Sequence, residues 1–185
     1  RSPTYSADGK SILYASWNDA EMGAVKVRDI VTGAERKVTL EKGYYHNPRW
    51  SNDGKMIAFE KGSGSGELGF SFGTLPGIYV CNADGSNLRL LTVDGSEPYF
   101  NETGTRVYFS TGGGLNKYFK SLGLDGKDEM THFTAKYAKD FVPSPDGKWI
   151  AFTELYNAYV AAFPKTGQAL DLSSGGDGYP VFQVT

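Results

Sequence analysis

Two histidines, one cysteine and a scatter of aspartates are the residues of this sequence best suited to chemistry, and their spacing argues against most of it. His46 and His132 stand far apart, and neither has a second histidine at the short offsets that bring two imidazoles to one metal. Cys81 falls in a predicted interior strand, where an inert packed thiol is expected; a nucleophilic thiol needs exposure and a positive neighbour. A single cysteine also excludes an intramolecular disulfide and a multi-cysteine zinc site. Gly69-Phe70-Ser71-Phe72-Gly73 spells the nucleophile elbow of a serine hydrolase. That motif works only where a buried strand turns sharply into a helix, and here Ser71 lies in a glycine-rich loop between two predicted strands. Gly64-Ser65-Gly66-Glu67-Leu68-Gly69 matches a dinucleotide fingerprint and fails the same test, because no helix follows to aim its N-terminus at a pyrophosphate. No catalytic residue, metal or cofactor is expected within this chain.

The elements that would position any site follow from composition. Among 185 residues, 19 Lys and Arg against 21 Asp and Glu give a formal charge of −2. Near-neutrality argues against a nucleic-acid partner, which needs a clustered basic excess. Eleven Phe, twelve Tyr and 24 Gly combine pleat-filling side chains with tight-turn residues, which favours an all-β chain. Helical periodicity is absent, and no apolar run approaches the ~18 residues of a membrane helix, so no membrane insertion is expected.

An internal repeat sets the architecture. Related segments begin at Pro3, Pro48, Pro98 and Phe141 and reach the turn glycines Gly9, Gly54, Gly104 and Gly147, spaced 45, 50 and 43 residues apart. Such spacing suits one four-stranded blade per repeat. Each unit closes on a similar mark: Lys37-Val38-Thr39, Leu90-Leu91-Thr92, Glu129-Met130-Thr131 and Gln183-Val184-Thr185. In the second unit, Pro48 to Ser51 is a first strand and Asp53-Gly54 a tight turn. Lys55 to Glu60, Gly77 to Cys81 and Leu88 to Thr92 follow as strands two to four. Asp8, Asp53 and Asp146 therefore read as turn residues rather than an acidic site. The expected fold is one β-propeller domain of about four four-stranded antiparallel blades, approximately 1–43, 44–93, 94–134 and 135–185. Arg1-Ser2-Pro3, without an initiator Met or secretory signal, reads as the start of a piece cut at module boundaries.

The Trp50-Ser51, Asp53-Gly54-Lys55 and Ser144-Pro145-Asp146-Gly147-Lys148 motifs, each followed by an Ile-Ala-Phe strand, resemble the TolB-like (WD-type) β-propeller repeat. The third repeat departs from it, with Asn101 for Ser and Thr103 for Asp. The resemblance covers nearly the whole chain and implies a propeller in a bacterial periplasmic or exported setting. The stretch from Ser144 to Ala161 further resembles propellers that precede an amidohydrolase-type domain.

Function then belongs to a surface. In an antiparallel blade, the second-to-third connection and the blade-to-blade connection emerge on one face, and loops on a rigid scaffold are where recognition is placed. That face should collect Trp17, Tyr44, Tyr45, Phe70 and Phe72. His46, Asn47, Glu97 and Asp140 should ring the central channel, and the loop from His132 to Asp140 should join them. The reading is a non-catalytic module that binds a protein or peptide there. Its alternative is the propeller of a larger hydrolase, amidohydrolase-like or prolyl-oligopeptidase-like, that gates or positions substrate. An open arc would leave two apolar blade faces, so either a closed ring or a homodimer through those exposed edges is expected.

Overall fold

The computed structural model describes residues 1–20, 22–63, 75–173 and 178–184. Seventeen strands and no helix occur among them. The first sheet contains β1 (Thr4–Tyr5), β2 (Ser11–Asn18), β3 (Met22–Asp29) and β4 (Glu35–Lys37). The second contains β5 (Tyr45–Trp50), β6 (Met56–Lys61), β7 (Gly77–Asn82) and β8 (Arg89–Thr92). In the third, β9 (Ser96–Phe100), β10 (Arg106–Thr111), β11 (Asn116–Gly123) and β12 (Met130–Lys136) follow the same order. The fourth has β13 (Ala138–Pro143), β14 (Trp149–Glu154), β15 (Asn157–Ala162) and β17 (Val181–Val184). These are the antiparallel blades of a four-bladed β-propeller. One strand departs from strict repetition. β16 (Leu170–Asp171), from the segment expected to lie wholly in the fourth blade, pairs in parallel with β12 and gives the third sheet a fifth strand.

Turn chemistry explains the repetition. Gly9, Gly54, Gly104 and Gly147 hold φ between +66° and +70°, a left-handed conformation that glycine adopts without steric cost. In three blades the hydroxyl of Ser6, Ser51 or Ser144 donates to the carboxylate of Asp8, Asp53 or Asp146 at 2.6 to 2.7 Å. The same carboxylate accepts the N–H of Lys10, Lys55 or Lys148 at 3.1 Å. The third blade reaches this turn differently. Asn101 Oδ1 accepts the N–H groups of Thr105 and Arg106 at 2.8 and 2.9 Å, so one amide does the work of the Ser and Asp.

Alternation along the second strand of each blade builds the core. On β6, Ile57 and Phe59 pack toward the first sheet with Leu13, Ala15, Val25 and Cys81. Ala58 and Met56, on the other face, pack toward the third sheet with Val80, Val107 and Phe109. Between the third and fourth sheets lies an aromatic cluster of Tyr108, Phe119, Phe133, Phe141, Phe152 and Phe163. Among the described residues no such cluster joins the fourth sheet to the first. The outward face of the fourth blade exposes Trp149 and Phe182, at 45% and 59%. On the first blade, Ile12 and Tyr14 occupy the positions of Ile57 and Phe59, counted from the turn glycine, and are only half-buried.

Candidate functional site at the channel rim

One backbone feature recurs at the start of every blade. Ser2, Asn47, Glu97 and Asp140 all hold φ between +47° and +56°. A left-handed conformation costs an L-residue about 1–2 kcal/mol, and a following proline further favours extended backbone. Pro3, Pro48 and Pro98 follow the first three of these residues. In the second, third and fourth blades the inner pairing slips at this point, between His46 and Arg49, between Ser96 and Tyr99, and between Lys139 and Val142. Each slip is a β-bulge, which re-aims the bulged side chain out of the sheet plane.

The re-aimed side chains meet. Ser2 Oγ donates to Asn47 Oδ1 at 3.0 Å, and Asn47 Nδ2 donates to Glu60 Oε2 at 3.4 Å. The same Glu60 oxygen accepts the Glu97 N–H at 3.4 Å. Thr153 Oγ1 donates to Asp140 Oδ2 at 2.8 Å. Burial, followed by the nearby carboxylates of Asp140 and Glu60, holds the Glu97 carboxyl above its ordinary range. Ser110 Oγ is buried there beside the Glu97 carboxyl. It lines a cavity of about 190 Å³ together with Glu97, Lys117, Lys139 and Asp140. Sequence reasoning missed Glu60, Ser110 and Thr153, although a signal existed: each lies six residues after its turn glycine.

Beside the rim, Trp17, Tyr44 and His46 form an edge-to-face ladder, with ring centroids 5.6 and 4.1 Å apart. Arg1 Nη1 donates to the Tyr44 hydroxyl at 2.7 Å, and Trp17 Nε1 donates to Asp19 Oδ1 at 3.0 Å. Burial lowers the His46 pKa, which favours a neutral ring. Tyr45 does not share this surface. It alternates to the opposite face of β5, packs edge-on against Phe59 and donates its hydroxyl to Glu41 O at 3.0 Å. His132 is likewise a core residue. Its Nε2 shares a 2.8 Å hydrogen bond with Ser121 Oγ, and the rings of Tyr108 and Phe163 flank it. Phe70 and Phe72 lie outside the described residues, as do Ser71 and the Gly64 to Gly69 motif.

Chemically, this rim offers polar and aromatic contacts. Burial pushes the Cys81 thiol up to about 12, which keeps it protonated and unreactive at neutral pH. Among the described residues no three of His, Cys, Asp and Glu stand close enough to hold a metal ion.

A family model described as the TolB β-propeller domain matches residues 1–178. The chain belongs to the TolB β-propeller family. The Tol-Pal system protein TolB of Francisella tularensis subsp. mediasiatica is 32% identical over 92 residues, covering 50% of this chain and 19% of that protein. The crystal structure of TolB from Acinetobacter baumannii superposes with a TM-score of 0.75 at 20% identity, over 100% of this chain and 43% of that one. The tricorn protease shares the fold at a TM-score of 0.64 and 14% identity, over 88% of this chain and 21% of that one. The chain thus spans less than half the length of each of these three proteins.

Proposed function

We propose that this TolB-like propeller is a non-catalytic module that binds a protein or peptide across its loop face and channel rim. One observation carries the reading. Four separate blades hold strained, left-handed residues at one mouth, and three of them aim Asn47, Glu97 and Asp140 there beside an aromatic ladder. Strained backbone positions cluster at ligand clamps and other functional sites. Rigid rings supply contact area at little entropic cost. The naming of relatives as Tol-Pal system proteins supports a protein partner. No feature of the structure favours the hydrolase-associated reading over this one, since the likeness to tricorn protease is one of fold.

Panning a phage-displayed heptapeptide library on the immobilised chain tests the proposal. Enriched peptides should bind at least about tenfold more weakly to a Trp17→Ala, Tyr44→Ala, His46→Ala triple variant or to a Glu97→Ala, Asp140→Ala double variant. Library enrichment that both variants retain in full counts against the rim.

Assembly is part of the same proposal. The apolar Trp149 and Phe182 face of one copy is matched, by repeat position, to the Ile12 and Tyr14 face of a second. Light scattering should then show mass rising with concentration, and Trp149→Glu should abolish the rise. A monomer at every concentration ends this part of the proposal.

A further inference from the structure

The hairpin joining β14 to β15 is built against its own chemistry. Glu154 pairs with Asn157, leaving Leu155 and Tyr156 as a two-residue loop with φ of +44° and +72°. Positive φ at both positions defines a type I′ turn, for which Asn-Gly is the favoured pair and large side chains are disfavoured. The corresponding connection in the third blade uses Gly112, Gly113 and Gly114. The fourth blade instead presents a leucine 60% exposed and a fully exposed tyrosine. Neither side chain supports the core, so core packing does not account for the strain.

This tip overhangs a cavity of about 420 Å³ at the seam of the third and fourth blades, lined by Gly114, Lys117, Tyr137, Lys139, Thr153, Leu155 and Tyr156. Tyr137 also holds positive φ, at +58°, and is 46% exposed. The cavity runs on into the rim cavity, because Lys117, Ala138 and Lys139 line both. Among the described residues neither lysine makes an ion pair. From outside inward the groove offers an apolar wall, then two cationic side chains, and beyond them the Glu97 and Asp140 carboxylates beside the buried Ser110 hydroxyl.

We infer that this groove is a docking subsite for an extended peptide segment carrying an acidic residue next to a bulky apolar one. The carboxylate meets Lys117 and Lys139, and the apolar side chain lies against Tyr137, Leu155 and Tyr156. Charge complementarity in the outer cavity selects this occupant. Lys117 and Lys139 are its charged lining, and the Glu97 and Asp140 carboxylates line only the inner one. An acidic side chain is thus seated on the lysines, whereas a basic one would face like charge. The inference rests on the peptide-binding reading above and adds a partner chemistry to it.

Chemical-shift mapping of the ¹⁵N-labelled chain with the capped tetrapeptide acetyl-Gly-Leu-Glu-Gly-amide tests it. Saturable shifts should centre on residues 114–117, 137–140 and 153–157. The Gln counterpart should bind about threefold more weakly or worse, and the Lys counterpart more weakly still. A Lys117→Glu, Lys139→Glu double variant should reverse that order. Leu155→Asn with Tyr156→Gly supplies the pair a type I′ turn favours, so it should raise the melting temperature while weakening the Leu-Glu peptide. A lower melting temperature would show that the two side chains are structural and overturn the inference. Shifts confined to Trp17, Tyr44 and His46 would sink this subsite and leave rim binding intact. The absence of saturable shifts, or binding blind to charge, would also overturn it.

Discussion

Phe119→Ala lowers the free energy of unfolding by about 3–5 kcal/mol, the range for deleting a buried aromatic ring. Phe119 is fully buried on β11, with its ring centroid 5.3 Å from Tyr108, 5.5 Å from Phe141 and 6.0 Å from Phe163. These rings come from the third blade, the fourth blade and the connection beyond β15, so the side chain is the junction of two sheets. Both sheets are held by their own ladders and cannot slide together to fill the space, which places the expected cost in the upper part of that range. Urea unfolding measures it. Tyr118→Ala, next along the strand and 36% exposed, serves as the control and should cost less than about 1 kcal/mol. A Phe119→Ala loss no larger than the control's would show that the third and fourth blades are not coupled through this cluster.

Between pH 7 and pH 4 the chain loses about 3 kcal/mol more stability than a His132→Gln variant does. Burial first, then the charges of Arg106 and Lys165, lowers the His132 pKa from 6.5 to about 4. In the unfolded chain His132 takes up its proton near pH 6.5, whereas in the folded chain it does so only near pH 4. Across that window the unfolded state binds more protons, so stability is full above pH 6.5 and falls as pH falls. A difference of about 2.5 units at 1.36 kcal/mol each gives the stated figure. Glu97 and Glu154 act with the opposite sign. Burial foremost raises both pKa values, so each carboxyl is more readily protonated when folded and adds stability as the pH drops. Their contribution is common to both chains, and the comparison isolates the histidine. Glutamine keeps an amide within reach of Ser121 and carries no titrating ring. Parallel stability profiles for the two chains from pH 7 to pH 4 would refute the assignment.

How much of the rim was legible in advance can be judged from particular residues. The repeat pattern places Asn47, Glu97 and Asp140 just before each inner strand; in the structure they lie inside β5, β9 and β13, at the bulge, and all three hold the same strained backbone. Contiguity with Tyr44 and His46 places Tyr45 on the loop face. Strand alternation instead sends its ring to the opposite face of β5, into the core with Phe59. Glu60 enters the sequence reading only as the last residue of a predicted strand. Only the closeness of Asn47 and the Glu97 N–H shows what it does. The third turn shows the opposite case: its motif is altered, yet Asn101 restores the same geometry through two backbone hydrogen bonds.

Blade number, turn positions and the two-sided apolar strands were decided by the amino-acid order alone. An Asp-Gly hairpin and period-two alternation act over a few neighbouring residues, so they can be read where they are written. The convergence of Ser2, Asn47, Glu60, Glu97 and Asp140, the donation of β16 to the third sheet and the groove under Leu155 and Tyr156 were decided only by the tertiary structure. They join residues some 30 to 140 positions apart, brought together by bulges and by the packing of whole sheets around an axis, which no local pattern encodes.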